Sequence, residues 1–273
     1  MFLLGSAYPT TKLGLNAEIP PILFGSLRMF LVFIFLLPFC KFQKINKKYI
    51  LPLFVFTLSM GTAVNLFLYL SVDASNIIAP IVIIAPLSIP LAILLSSIFM
   101  DEKISKIQWL LIFSSIFGVV LIGFDPKISE EILGMILIGC MAFFYAFAQV
   151  ISRYLKSLDL MFTNSVMGLV GFVTLMLGSI FYEGQTIYNL QNISLDGWLL
   201  IFHHGVLCSI MGHTMMFYLY KFYPVGRVLP FYALFPVFGI ILSYVIFGEI
   251  PTLLMSLGGL VVITSVFYLQ KIR

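Results

Sequence analysis

Long apolar runs, each about as long as a bilayer is thick and separated by short polar links, dominate this sequence and restrict its folding more than any other feature. Such runs occupy residues 19–40, 49–72, 77–100, 107–124, 132–151, 160–182, 198–220, 228–247 and 252–269. A helix needs about 20 mostly apolar residues to cross the hydrocarbon core. Only helices and closed barrels can satisfy their backbone there, and runs this long and continuous are helical. Residues 1–15 form a further, shorter apolar stretch, read here as the later part of a first helix truncated at its N-terminus. The expectation is therefore an all-α integral membrane protein of ten transmembrane helices.

Composition supports lipid as the solvent. Charged residues are 10% and hydrophobic residues 61% of the 273, whereas a soluble domain keeps roughly a quarter of its residues charged. The basic residues are scattered, with a net charge of only +4. That excludes nucleic acid as a partner, because binding it requires a concentrated basic face. Cys40, Cys140 and Cys208 lie in apolar stretches without paired spacing, so they read as inert thiols rather than a disulfide framework or zinc site. No cofactor and no metal site is expected, since no carboxylate stands at ligand spacing from the histidines.

Lys and Arg in the links set the orientation. Lys41, Lys44, Lys47, Lys48, Lys103, Lys106, Arg153, Lys156, Lys221, Arg227, Lys271 and Arg273 fall on one side, and Lys127 alone on the other. Both termini are expected in the cytoplasm, in a multi-pass protein of the cell (inner) membrane.

The two halves echo each other. Pro80 and Pro86 in the fourth span recur with the same spacing as Pro230 and Pro236 in the ninth. Glu102 after the fourth span matches Glu249 after the ninth, and Lys12 matches Arg153. Five helices per half is an odd number, so the second copy enters from the opposite side. The expected domains are residues 1–124 and 125–273, an inverted 5+5 repeat. Such repeats are typical of secondary transporters, in which exchanging the conformations of two similar halves alternates access to a site between them.

Several residues carry possible chemistry. Arg28 is a formal charge well inside a clear span, where a charge costs about 3 kcal/mol to insert. It either clamps a substrate carboxylate through its forked donors or is a structural arginine bonded to backbone carbonyls. His213 is a possible proton-coupling group, since imidazole titrates near neutrality; the bland alternative is a packed, hydrogen-bonded histidine. His203 and His204 are adjacent and diverge on a helix, so both are not expected to line one pathway. Pro86 and Pro236 are expected to break helices and free carbonyls near the midplane, or simply to set a kink. Asn65 with Tyr69, and Tyr145 with Gln149, share helix faces and could ring a cavity, as could Tyr232; singly, each is a packing residue. Gly258-Gly259 reads as a close helix approach.

Together these residues give the chain a resemblance to the EamA-type branch of the drug/metabolite transporter superfamily. It rests on Gly5 and Lys12, Pro20-Pro21 and Arg28, then Pro86 and Asp101-Glu102-Lys103. The most specific stretch is Arg227-Val228-Leu229-Pro230, Phe235-Pro236-Val237-Phe238-Gly239, Gly248-Glu249 and Gly258-Gly259. The pattern looks closest to the subgroup exporting cysteine, O-acetylserine and related metabolites. Departures are Leu4 in place of a usual Trp, His213 in place of a frequent Tyr, and Met216 at a frequent Trp position. The resemblance implies a small-molecule metabolite as partner and export of amino-acid-like compounds by alternating access. Uptake or exchange of a larger metabolite, such as a nucleotide-linked solute, is the alternative within transport. An intramembrane enzyme is disfavoured, because no nucleophile–base pair, H-E-x-x-H or paired intramembrane carboxylates occur.

Overall fold

The computed structural model describes residues 1–41, 45–212 and 234–272. All regular structure among them is helical. We number α1 Phe2–Asn16, α2 Pro21–Phe39, α3 Lys47–Asp73, α4 Ala79–Phe99, α5 Lys106–Gly123, α6 Pro126–Leu155, α7 Leu160–Tyr182, α8 Leu195–Gly212, α9 Phe235–Phe247 and α10 Leu253–Ile272.

Among the described residues, 8 helices are long and apolar enough to cross a membrane, α2 to α8 and α10. The chain is a multi-pass membrane protein. The other two numbered helices are shorter, and a further short helix, Thr186–Gln191, lies in the link after α7. α9 has 13 described residues. α1 has 15 residues, or roughly 22 Å of rise, against a hydrocarbon core of about 30 Å. α1 is also the least lipid-like of the set, because Ser6, Thr10 and Thr11 face neighbouring helices rather than lipid.

Local sequence explains where the helices begin. Asn46 caps α3 through the amide of Lys48, and Asp159 caps α7 through the amide of Phe162 at 2.9 Å. Ser105 and Gln108 form a reciprocal capping box at the start of α5, satisfying donors that a helix start leaves open. Gly248 ends α9 at φ +69°, a left-handed position that suits glycine.

α2 packs along α7, and α5 along α10. α3 and α4 both pack on α6, while α1 packs on α8 and α9. Advancing every label by five maps these pairings onto one another. In lipid there is little hydrophobic drive between helices, so small residues and close packing hold them together. A Cβ on Gly61 would lie 2.6 Å from the Met167 carbonyl oxygen, and one on Gly258 would lie 2.5 Å from that of Gly118. Only glycine allows α3 to meet α7, and α10 to meet α5, at that distance. The outer surface is apolar: Leu110, Phe113 and Phe117 of α5 are largely exposed, as a lipid-facing helix requires.

Candidate functional site

A cavity of about 450 Å³ lies between α1, α2, α3, α6, α7 and α8. Most of its wall is apolar, with Met29, Met60, Met141, Met161 and Met167 among the lining residues. Its mouth is at the end of the molecule where α6 gives way to α7, bordered by Ser152, Lys156 and Asn164. Lys156 is exposed there. At its inner end lie Arg28, Asn65, Tyr145 and Tyr8.

Arg28 stands on α2, roughly 10 Å along the helix from Pro21. Its Nε donates to the Ser209 hydroxyl of α8 at 2.9 Å. The Ser209 hydroxyl in turn donates to the His204 carbonyl at 2.7 Å. No acidic side chain pairs with Arg28 among the described residues, where the ion pair is Arg153–Glu102. One edge of the guanidinium is therefore anchored, while its charge has no counter-ion.

Asn65 is held by the shape of its own helix. Residues Thr57–Ala63 of α3 form a wider, π-type turn, which leaves carbonyls without their usual partners. Asn65 Nδ2 donates to the carbonyls of Met60 at 3.1 Å and Gly61 at 2.9 Å. Among the described residues its Oδ1 is buried with no partner.

Above these residues the cavity ends in a ceiling. The Tyr69 hydroxyl lies 3.2 Å from His204 Nδ1, and the Thr10 hydroxyl lies 2.8 Å from His204 Nε2. Phe24 stacks obliquely against both rings, with centroids 4.9 Å from Tyr69 and 5.1 Å from His204. Each ceiling residue stands one helical turn beyond a lining residue: Phe24 beyond Arg28, Tyr69 beyond Asn65, Thr11 beyond Ala7 and His204 beyond Cys208. Four helices thus close the chamber at one level.

Of the sequence-predicted site residues, Arg28, Asn65, Tyr145 and Gln149 line this one cavity. Tyr69 belongs to the ceiling, fully buried. Pro86 and Pro236 are buried but are not among the lining residues. Pro86 falls in a short 3-10 turn, Ala85–Leu87, and helix resumes at Ser88. Pro236 sits in the first turn of α9, where a proline removes no intrahelical bond. The cavity therefore lies beside α2, α3 and α6, without either proline in its lining. Tyr232 and His213 lie outside the described residues.

His203 and His204 are not among the residues that line the cavity. Both turn to α1, His203 Nε2 at 3.2 Å from the Ser6 hydroxyl and His204 to Thr10. They lie in a π-type stretch, His203–Gly212, whose wider turn changes the angle between neighbours. Sequence reasoning missed Ser209 and the methionine wall. Ser209 follows His204 at the spacing of a π turn, but nothing in the sequence marks such a turn. A lining methionine has the same letter as a lipid-facing one.

Comparisons with known proteins agree with this architecture. A solved structure described as "Crystal structure of protein" superposes with a TM-score of 0.63 at 15% identity, over 97% of this chain and 93% of that one. At that identity the likeness is one of fold. "Uncharacterized transporter YdfC" of Bacillus subtilis (strain 168) is 26% identical over 64% of this chain and 56% of its own length. This chain therefore matches little more than half of that relative. The pattern of the EamA-like transporter family matches residues 1–124 and 132–270. Those matches take in nearly the whole helical membrane domain, and the chain belongs to the EamA-like transporter family.

Proposed function

We propose that this membrane transporter exports a small, amino-acid-like metabolite by alternating access, and that the Arg28 cavity is its substrate site. The observation that carries this reading is Arg28 itself, a guanidinium deep in an apolar chamber, anchored by Ser209 and without a carboxylate partner. A charge placed so far into the membrane is expensive unless something answers it. A substrate carboxylate would do so through the two-pronged geometry that a guanidinium offers. Asn65, Tyr145 and Gln149 complete the polar lining.

Two further observations support alternating access. The family pattern matches each half of the chain, and the helix pairings repeat when every label is advanced by five. Both are as an inverted repeat of residues 1–124 and 125–273 would have them. We read the mouth beside Lys156 as cytoplasmic, because the basic links gather at that end. The form described here is then inward-facing, in a protein of the cell membrane with both termini in the cytoplasm.

The reading is tested by flux and by topology. Proteoliposomes carrying the protein should exchange a labelled small carboxylate from an amino-acid and organic-acid panel, and Arg28→Gln should reduce that exchange at least tenfold, about 1.4 kcal/mol. Reporter fusions after Lys127 and Lys156 should fall on opposite sides of the membrane. Fusions reporting one side, or an Arg28→Gln variant with unchanged flux, overturn the proposal.

A further inference from the structure

The ceiling of the cavity contains a buried titratable group that substrate binding at Arg28 does not use. His204 is fully buried there, and the hydroxyls around it assign its tautomer. Thr10 donates to the Ser6 carbonyl at 2.7 Å, and Thr11 to the Ala7 carbonyl at 2.8 Å. A hydroxyl has one proton, and each threonine has committed it to its own helix. Both can therefore only accept from His204 Nε2, at 2.8 and 3.4 Å. Nε2 carries the hydrogen, and Nδ1 is the lone pair that accepts from the Tyr69 hydroxyl at 3.2 Å. A neutral imidazole has one donor and one acceptor; the closed ceiling uses both.

A second proton has no place in that arrangement. On Nδ1 it would turn the Tyr69 hydroxyl from donor to acceptor, and the Tyr69 proton would then need a new acceptor. The charged group beside that hydroxyl is Arg28, which only donates. Among the described residues, the charged and titratable groups facing His204 are Arg28 from α2, Tyr69 from α3 and His203 from its own helix, with Cys208 one turn further on. From α1 it meets the two threonine hydroxyls, while Lys12 reaches away to the Ser75 carbonyl. All 11 Asp and Glu residues of the chain fall among the described residues, and none faces His204. An imidazolium here would be a buried charge beside a guanidinium with no carboxylate to pair it, an arrangement that proteins avoid.

We infer that His204 is the proton-binding site of the gate opposite the mouth: the closed ceiling admits the neutral ring alone, so a proton on His204 holds the ceiling open. Once the ceiling parts, the ring meets water and titrates as an ordinary imidazole, at about pH 6.5. Protons then bind the open form and not the closed one, and acid shifts the equilibrium towards the open form. The shift amounts to about tenfold between about pH 7.5 and about pH 5.5. This rests on the alternating-access reading, under which the ceiling opens.

The experiment uses the full-length protein in detergent, with Cys40, Cys140 and Cys208 replaced by Ser. Ile201→Cys reports on the ceiling: Ile201 is fully buried in the apolar cluster that holds Phe24 and Tyr69, three residues before His204. Asn164→Cys reports on the mouth. The rate of Ile201→Cys with a water-soluble thiol reagent is divided by that of Asn164→Cys, so that the loss of thiolate in acid cancels. That ratio should rise about tenfold between about pH 7.5 and about pH 5.5. His204→Gln has no titrating ring and should hold the ratio constant to within about twofold; His204→Asn serves where His204→Gln does not fold. A flat ratio in the protein that keeps His204, no reaction of Ile201→Cys at either pH, or the same rise without His204 each overturns the inference. The expected rise in a protein that shows no flux in proteoliposomes upholds the gate and overturns the transport function.

Discussion

The two ends of the helix bundle are held by charged side chains in different ways. At the end remote from the cavity mouth, the charges act on backbone. Lys12 Nζ donates to the carbonyls of Val72 and Ser75 in the α3–α4 turn. Glu249 accepts from the amide of Ile78 at 2.9 Å, and Glu131 from that of Asn76 at 2.8 Å. Three separate parts of the chain thus grip one turn. Glu183 accepts from the first amides of α2, including Leu23 at 3.0 Å, and Asp125 accepts from the amide of Lys127 at 3.0 Å. At the mouth end Asp159 also caps backbone, at the start of α7, but the ion pair there is side chain to side chain. Arg153 Nη1 meets Glu102 Oε1 at 2.6 Å, with side chains 31% and 42% exposed. Charges bonded to part-buried backbone groups hold an end more firmly, because breaking them leaves polar atoms poorly solvated. An exposed pair is screened and can part at little cost. The difference places the mechanical weakness at the end where the cavity already opens.

The largest effect that could break this contrast is one of access. In a protein with Cys40, Cys140 and Cys208 replaced by Ser, Asn164→Cys at the mouth should react with a water-soluble thiol reagent on the order of a hundredfold faster than Thr11→Cys in the ceiling, since thiol reactivity follows exposure. Equal rates would mean that the ceiling does not close. Next in size is stability. Lys12→Met takes the lysine donor from the Ser75 carbonyl and should cost about 1–3 kcal/mol in detergent unfolding. Glu102→Gln should cost no more than about 1 kcal/mol. Reversal of that order would remove the distinction between the ends.

The smallest effect is a dependence on pH. Burial raises the pKa of Glu249 above its usual 4.5, against the opposing pull of the Ile78 and Ala79 amides and of Lys12. The folded state therefore holds the proton more tightly than the unfolded state. This group's contribution to stability is greatest below pH 4.5 and declines as pH rises through the elevated value. Glu249→Gln keeps an acceptor for Ile78 and should flatten that decline. An unaltered pH profile in detergent unfolding would show that the carboxylate titrates as if exposed.

The bundle was legible in the sequence because lipid imposes one length and one polarity on a spanning helix. The spans expected at 19–40, 49–72 and 160–182 lie within two residues of α2, α3 and α7 at either end. Arg28 stood out as a charge in an apolar run, and Asn65, Tyr145 and Gln149 as polar residues on helix faces; all four line the cavity. The prolines lie elsewhere than in the cavity lining. Pro236 occupies a first turn and Pro86 a 3-10 turn within its span. The ceiling was hidden because it depends on His204 meeting Tyr69 and Thr10, residues far apart in the chain and brought together only by packing. The π-type turns that aim Asn65 and His204 have no sequence pattern of their own.

The methionine wall has a chemical consequence. A thioether that water can reach is open to oxidation, and the sulfoxide it forms is polar, bulkier and chiral. Met60 and Met161 are partly accessible in the chamber, while Met29 and Met167 lie deeper. Oxidant stress would turn an apolar chamber into a polar one from the mouth inwards, and sulfoxide reduction would restore it. The chamber's lining is thus open to chemical change by oxidants that enter it.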